Sequence, residues 1–185
     1  MNIKKELIFK RVDRTVEDLE TIRGLYDRSF PDNERIPFDW LLKSKDPLQE
    51  MCAAYEDKMF VGMYYLYFKD ELIYLSYICV MEELRDLGYG SKILSKIKDR
   101  YLDRRIVIDI EEVREGDKDH EHELKRRAFY LKNGFFSTEI FYHIYGVDYE
   151  LLSFGGKVNK DEWHSLIRHH WGRIADTAIY RDANG

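Results

Sequence analysis

The run from Leu72 to Glu112 constrains the fold more than any other part of the chain. It reads as an apolar strand over Leu72–Met81, a glycine loop, an amphipathic helix from Gly88 through Tyr101, and a β-branched strand over Arg105–Glu112. The helix sets Ile93, Leu94, Ile97 and Tyr101 on one face. Strand, helix and strand in succession form a crossover, and a crossover makes its two strands parallel neighbours in one sheet. The segments before it behave differently. Met51–Tyr55, Met59–Phe68 and Leu72–Met81 are separated only by Glu56-Asp57-Lys58 and Lys69-Asp70-Glu71. Such short polar turns predict an antiparallel meander.

Around this centre, Leu7–Asp13 reads as a first strand. Thr15 is placed to cap a helix from Val16 to about Phe30, with Leu19, Ile22, Leu25 and Tyr26 at helical spacing. Pro31-Asp32-Asn33 breaks that helix, and Pro37–Leu42 suggests a second, short one. After the crossover, a charged loop over Glu115–Glu123 leads to a helix stopped at Asn133-Gly134. Phe135–Val147 and Tyr149–Ser153 read as a closing hairpin. Residues 159–175 read as a terminal helix with Trp163, Leu166, Ile167, Trp171 and Ile174 on one side. The expected architecture is an α/β domain: a mixed, mostly antiparallel central sheet, one parallel βαβ crossover and helices on both faces. A chain of 185 residues suits one domain, spanning 1–185 with 159–185 as C-terminal helix and tail.

Composition excludes several function classes. A net charge of −5 disfavours broad nucleic-acid or anionic-membrane binding. No stretch approaches the roughly 20 apolar residues of a spanning helix, and the N-terminal residues lack a signal-peptide core. Cys52 and Cys79 lie in apolar strands and read as reduced core thiols. The expectation is a cytoplasmic protein.

The loop Arg85-Asp86-Leu87-Gly88-Tyr89-Gly90-Ser91 stands between a strand and a helix. Glycines let the backbone approach a ligand, and the first helical amides, unpartnered and at the positive end of the dipole, form an anion site suited to a pyrophosphate. A glycine-softened turn is the plainer reading. A dinucleotide fingerprint would need a third glycine where Ile93 stands, and about eight residues separate Val80 from Gly88. No G-x-x-x-x-G-K-[ST] string occurs.

Arg85-x-x-Gly88-x-Gly90 resembles the [QR]-x-x-G-x-[GA] signature of the GNAT N-acetyltransferase superfamily, at the strand-to-helix step where that family carries it. Phe129-Tyr130-Leu131-Lys132-Asn133-Gly134-Phe135 resembles the family's second signature. The likeness covers about Leu7 to Ser153 in element order. One departure is that an Asn often found seven residues before the motif Tyr is here Glu123, and Arg126-Arg127 precede the aromatic pair. The resemblance implies an acetyl-CoA-dependent N-acetyltransferase without a metal. Arg85, Asp86, Leu87, Gly88, Tyr89, Gly90 and Ser91 would hold the coenzyme A pyrophosphate, and Ile78, Cys79 and Val80 would present main-chain groups to the pantetheine arm. It implies a small-molecule or peptide amine as acceptor and allows a homodimer, with neither nucleic acid nor membrane as partner. A catalytically idle fold that binds acyl-CoA as a sensor or interaction module is the alternative.

An ammonium must lose its proton before it attacks a thioester, and a carboxylate can take that proton. Alternation along Ile106–Glu112 puts Asp109 and Glu111 on one face and Ile106, Ile108 and Ile110 on the other. Glu111 is the first choice of base or amine anchor and Asp109 the second; solvated strand-end acids are the plainer reading. By the resemblance, Tyr130 would donate to the leaving thiolate, with Tyr142 and Tyr145 as weaker substitutes. Glu34 and Arg35, between the first two helices, would read the acceptor. His120-Glu121-His122 lacks metal-site spacing and is expected in a mobile loop, while His164, His169 and His170 are expected to pack on the terminal helix.

Overall fold

The computed structural model describes residues 6–32, 34–44, 46–116 and 118–181. Asn33 of the expected helix break and the last four residues of the expected tail lie outside them. The elements run β1 (Leu7–Arg11), α1 (Leu19–Ser29), α2 (Phe38–Lys43), β2 (Gln49–Glu56), β3 (Met59–Lys69), β4 (Leu72–Val80), α3 (Tyr89–Arg100), β5 (Arg105–Glu111), α4 (His120–Lys132), β6 (Phe136–Ile144), β7 (Val147–Phe154), α5 (Lys160–Trp171) and β8 (Ile179–Arg181). Strand order is β1-β2-β3-β4-β5-β7-β6-β8. The sheet is mostly antiparallel, and the predicted crossover supplies its parallel pair, with Leu72, Ile73 and Tyr74 opposite Arg105, Ile106 and Val107.

Two compact units divide the chain. One holds Met1–Tyr67 and Leu75–Tyr101, the other Phe68–Tyr74 and Leu102–Gly185. The core of the first is built from Ile22, Leu25 and Tyr26 of α1, Phe38 and Leu41 of α2, the buried runs Met51–Tyr55 and Met63–Tyr67, and Ile93, Leu94 and Ile97 of α3. Those three α3 residues are the apolar face read from the 3.6-residue period. The second core gathers Ile106, Val107, Ile108 and Ile110 of β5 with Tyr142, Leu151, Leu152, Trp163, Leu166 and Ile167. Burial of consecutive residues in β5 marks a strand covered on both sides, as a parallel crossover requires.

Several local expectations are corrected. Thr15 does not cap α1: its amide and hydroxyl both donate to Asp13 Oδ1, at 2.7 and 2.6 Å, so it closes a local turn. His120-Glu121-His122 forms the first turn of α4, because acidic residues suit a helix N-terminus as well as a loop. The terminal helix ends at Trp171, not at residue 175. Asn159 and Glu162 form its reciprocal capping box, and Ile174, expected on its apolar side, is exposed. Beyond it, Ile179–Arg181 pairs antiparallel with β6, so this part of the expected tail is a strand. The helix stop at Gly134 is as expected, with φ 82° and its amide donating to Leu131 O at 2.9 Å.

Candidate active site

In the first unit, β4 is followed by a 3-10 turn over Glu82–Leu84 and then by the glycine loop. Asp86 (φ 60°) and Gly88 (φ 82°) both take left-handed backbone, and Gly88 is the N-cap of α3. A Cβ built on Gly88 would have no atom within 4 Å, so the mouth of the helix is open. Here α3 differs from the other α-helices. α1 carries Glu20 in its first turn, α2 Asp39, α4 Glu121 and Glu123, and α5 Asp161 and Glu162; α3 carries no acid there. Unpartnered amides at a positive dipole end, in a first turn that carries no acid of its own, suit an anion. In the first turn the buried Tyr89 donates its hydroxyl to Glu56 Oε2 at 2.8 Å, while Lys92 Nζ lies 3.2 Å from Glu56 Oε1 and 4.2 Å from the Tyr89 ring centre. These contacts brace the helix start and leave Lys92 about half exposed.

The strand that precedes the loop is fixed by one close approach. A Cβ on Gly62 of β3 would come 2.2 Å from Cys79 O and 3.0 Å from Val80 Cα, so only glycine lets β3 and β4 meet there. The Met81 amide then donates to Val61 O at 2.9 Å. Ile78, Cys79 and Val80 are thereby held to a fixed height beside β3. The Cys79 thiol is free and buried, and burial pushes its pKa up to about 12; Cys52 is raised likewise, to about 12. Neither is a nucleophile at neutral pH.

The segment between α1 and α2 is tied down from several sides. Tyr77 donates its hydroxyl to Glu34 O at 3.2 Å and accepts from the Ile36 amide at 3.1 Å; Tyr26 donates to Ile36 O at 2.8 Å. Arg35 donates to Asp27 O at 2.7 Å and Phe30 O at 3.0 Å, and pairs with Asp27 and Asp32. Its guanidinium thus clamps the end of α1. The sequence pattern placed Tyr26 on a helix and Tyr77 in a strand, and marked neither as a loop anchor.

In the second unit, Asp109 and Glu111 share a face of β5, as alternation predicts, but their surroundings differ. Glu111 is partly exposed and ion-paired with Arg126 at 2.9 Å. Asp109 keeps some residue surface, yet its carboxyl group lies deep. Oδ1 accepts from the Tyr74 hydroxyl at 2.8 Å and Oδ2 from the Tyr142 hydroxyl at 2.6 Å. Burial raises its pKa, against the lowering effect of both tyrosines. Tyr142 was expected only as a substitute donor to sulfur; its hydroxyl is committed to Asp109. Tyr145 is exposed, with a left-handed backbone in the β6–β7 turn.

Tyr130 lies on α4 between the rings of Phe129 and Phe135, at 5.1 and 5.6 Å. Only 6% of it is exposed, and burial carries its hydroxyl pKa well above the ordinary tyrosine value. Among the described residues its hydroxyl makes no hydrogen bond. A neutral phenol with its proton uncommitted is equipped to donate.

The acetyltransferase family model described as "Acetyltransferase (GNAT) family" matches residues 19–135. The chain belongs to the GNAT acetyltransferase family. An acetyltransferase of this family from Bacteroides thetaiotaomicron superposes with a TM-score of 0.71 at 21% identity, over 90% of this chain and 97% of that one. The Bacillus subtilis acetyltransferase in complex with CoA gives 0.56 at 18%, over 80% and 98%. An aminoglycoside 6'-N-acetyltransferase from Enterococcus faecium gives 0.60 at 14%, over 79% and 95%. No curated protein matches the chain. Within the GNAT match lie both signatures, and no helix among the described residues is long and apolar enough to cross a membrane. GNAT enzymes draw on acetyl-CoA as cosubstrate, and the start of α3, with open space beside Gly88 and no acid in its own first turn, is chemically fit to receive its pyrophosphate.

Proposed function

We propose that this protein is one GNAT domain that transfers an acetyl group from acetyl-CoA to a primary amine of a small molecule or peptide. The observation that carries the reading is the start of α3: left-handed Gly88 with open space about it, and a first helical turn free of acids. In this reading the backbone of Arg85–Ser91 holds the pyrophosphate, and Ile78–Val80 offer main-chain groups to the pantetheine arm. Tyr130 holds the proton that a departing thiolate takes up, and its uncommitted hydroxyl supports that role. Glu111 receives the amine proton while still paired with Arg126. Glu34 contributes to the acceptor side. Arg35 acts there by fixing the loop, since its guanidinium is occupied.

A catalytically idle acyl-CoA binder is the second reading. It is favoured by one observation, that Glu111 is paired with Arg126 and both Asp109 oxygens are occupied, so that neither carboxylate is a free base. Calorimetry with CoA tests what the two readings share. Saturable binding is expected, with Gly88→Val weakening it at least tenfold in a protein that still folds. The substitution costs roughly 1–2 kcal/mol or more of left-handed backbone strain, while its Cβ meets no atom within 4 Å. No binding by the wild type at millimolar CoA overturns both. Thiol release from acetyl-CoA across a panel of amines then separates enzyme from binder.

A further inference from the structure

Glu123, in the first turn of α4, is 6% exposed, and its Oε2 is buried with no hydrogen-bond partner among the described residues. The other buried side-chain atoms in that condition are Ser29 Oγ and Trp163 Nε1, so Glu123 is the one ionisable group among them. Helical geometry offers it two cations, Arg126 at i+3 and Arg127 at i+4. Both are drawn elsewhere. Arg126 pairs with Glu111 at 2.9 Å, and Arg127 forks onto Glu150 with bonds of 2.7 and 3.2 Å.

Position in the helix does not remove the cost. The N-terminal dipole favours a carboxylate only weakly, whereas an unsatisfied buried acceptor carries a larger desolvation cost, and more when charged. A buried carboxylate is normally paired. One whose neighbouring arginines are both engaged is short of one thing, a cationic N–H donor. A primary amine is such a donor, since an alkylammonium holds its proton to a pKa near ~10.4.

We propose that Glu123 is the acceptor-binding carboxylate, which takes the ammonium of the incoming amine in a charge-assisted hydrogen bond through Oε2. The assignment rests on the acetyltransferase reading. It concerns recognition, and leaves proton removal to the groups named above. An amide N–H, such as the pantetheine arm carries, could also reach a carboxylate, but it would leave the buried charge uncompensated.

The test uses the full chain, saturated with CoA, and n-butylammonium chloride as probe against equal sodium chloride, read by thermal shift and calorimetry. Wild type is expected to bind the probe, and Glu123→Gln to bind it about tenfold or more weakly, the size of a hydrogen bond to a charged group. CoA affinity should be unchanged. Ligand-free Glu123→Gln and Glu123→Met should melt no lower than wild type, because an orphan charge has been removed. Three results overturn the proposal: a wild type indifferent to n-butylammonium, variants that bind it equally well, or variants that lose CoA affinity instead. A lowered melting temperature in both variants also overturns it, by making Glu123 a structural residue. Failure of the wild type to bind CoA at all would instead strike the acetyltransferase reading and is seen before the probe is added.

Discussion

Replacing Tyr142 by Phe removes one oxygen from the second unit and nothing else. The ring of Tyr142 is fully buried and packs on Tyr149 at 5.5 Å and on Trp163 and Tyr180 at 5.8 Å, and phenylalanine keeps those contacts. What is lost is a 2.6 Å hydrogen bond to Asp109 Oδ2. A hydrogen bond to a charged group contributes about 1.5–3 kcal/mol. In a chain of this size each kcal/mol moves the melting temperature by about 2–4 °C, so a fall of about 3–12 °C is expected near neutral pH. The pH dependence identifies the cause. Burial already lifts the Asp109 pKa above its unfolded value of about 3.9. An acid raised in this way favours the fold when protonated. Its contribution is complete below the unfolded pKa and is lost as pH climbs through the folded pKa. Losing a donor to the carboxylate raises the folded pKa further, so the loss in Tyr142→Phe runs to higher pH and goes deeper. The gap between variant and wild type should therefore be narrowest near pH 4 and widest at pH 7. Calorimetric melts across that range give the answer. A gap that stays constant with pH, or a neutral-pH shift below about 1 °C, would refute the account of Asp109 as a buried carboxylate held by two phenols.

Tyr130→Phe should leave the melting temperature and CoA affinity unchanged, because the hydroxyl bonds nothing among the described residues. On an acceptor found in an amine screen it should lower turnover about 10²–10⁴-fold, and full activity would remove Tyr130 from the chemistry. Gly62→Ala should destabilise by about 1–3 kcal/mol or more, since its Cβ would stand 2.2 Å from Cys79 O, and should weaken CoA binding by shifting Ile78–Val80. Paired melts and CoA titrations check it; a variant that melts like wild type would mean that β3 and β4 do not meet as closely as described.

Much of the fold was legible in period and punctuation. The apolar face of α3, the stop at Gly134 and the polar turns of the meander are local features, dictated by 3.6- and 2-residue repeats and by residues that tolerate left-handed backbone. The crossover then fixed the parallel pair by topology alone. Errors fell where a local signal had two outlets: Thr15 had a turn carboxylate nearer than a helix amide, and the charged run at His120 suited a helix start as well as a loop. β8 escaped because three residues carry no usable period.

By itself the sequence determined the architecture, the glycine loop and its family likeness, since these depend on residues near one another in the chain. Only the tertiary structure decided what each ionisable group is free to do. Asp109 and Glu111 are equivalent by alternation, yet one meets two tyrosines, 35 positions before it and 33 after it, and the other an arginine 15 positions on. Glu123 looks like one acid among many until Arg126 and Arg127 are seen bound elsewhere. The physical reason is that a charge is set by its nearest partners and its access to water, and those partners come from distant segments.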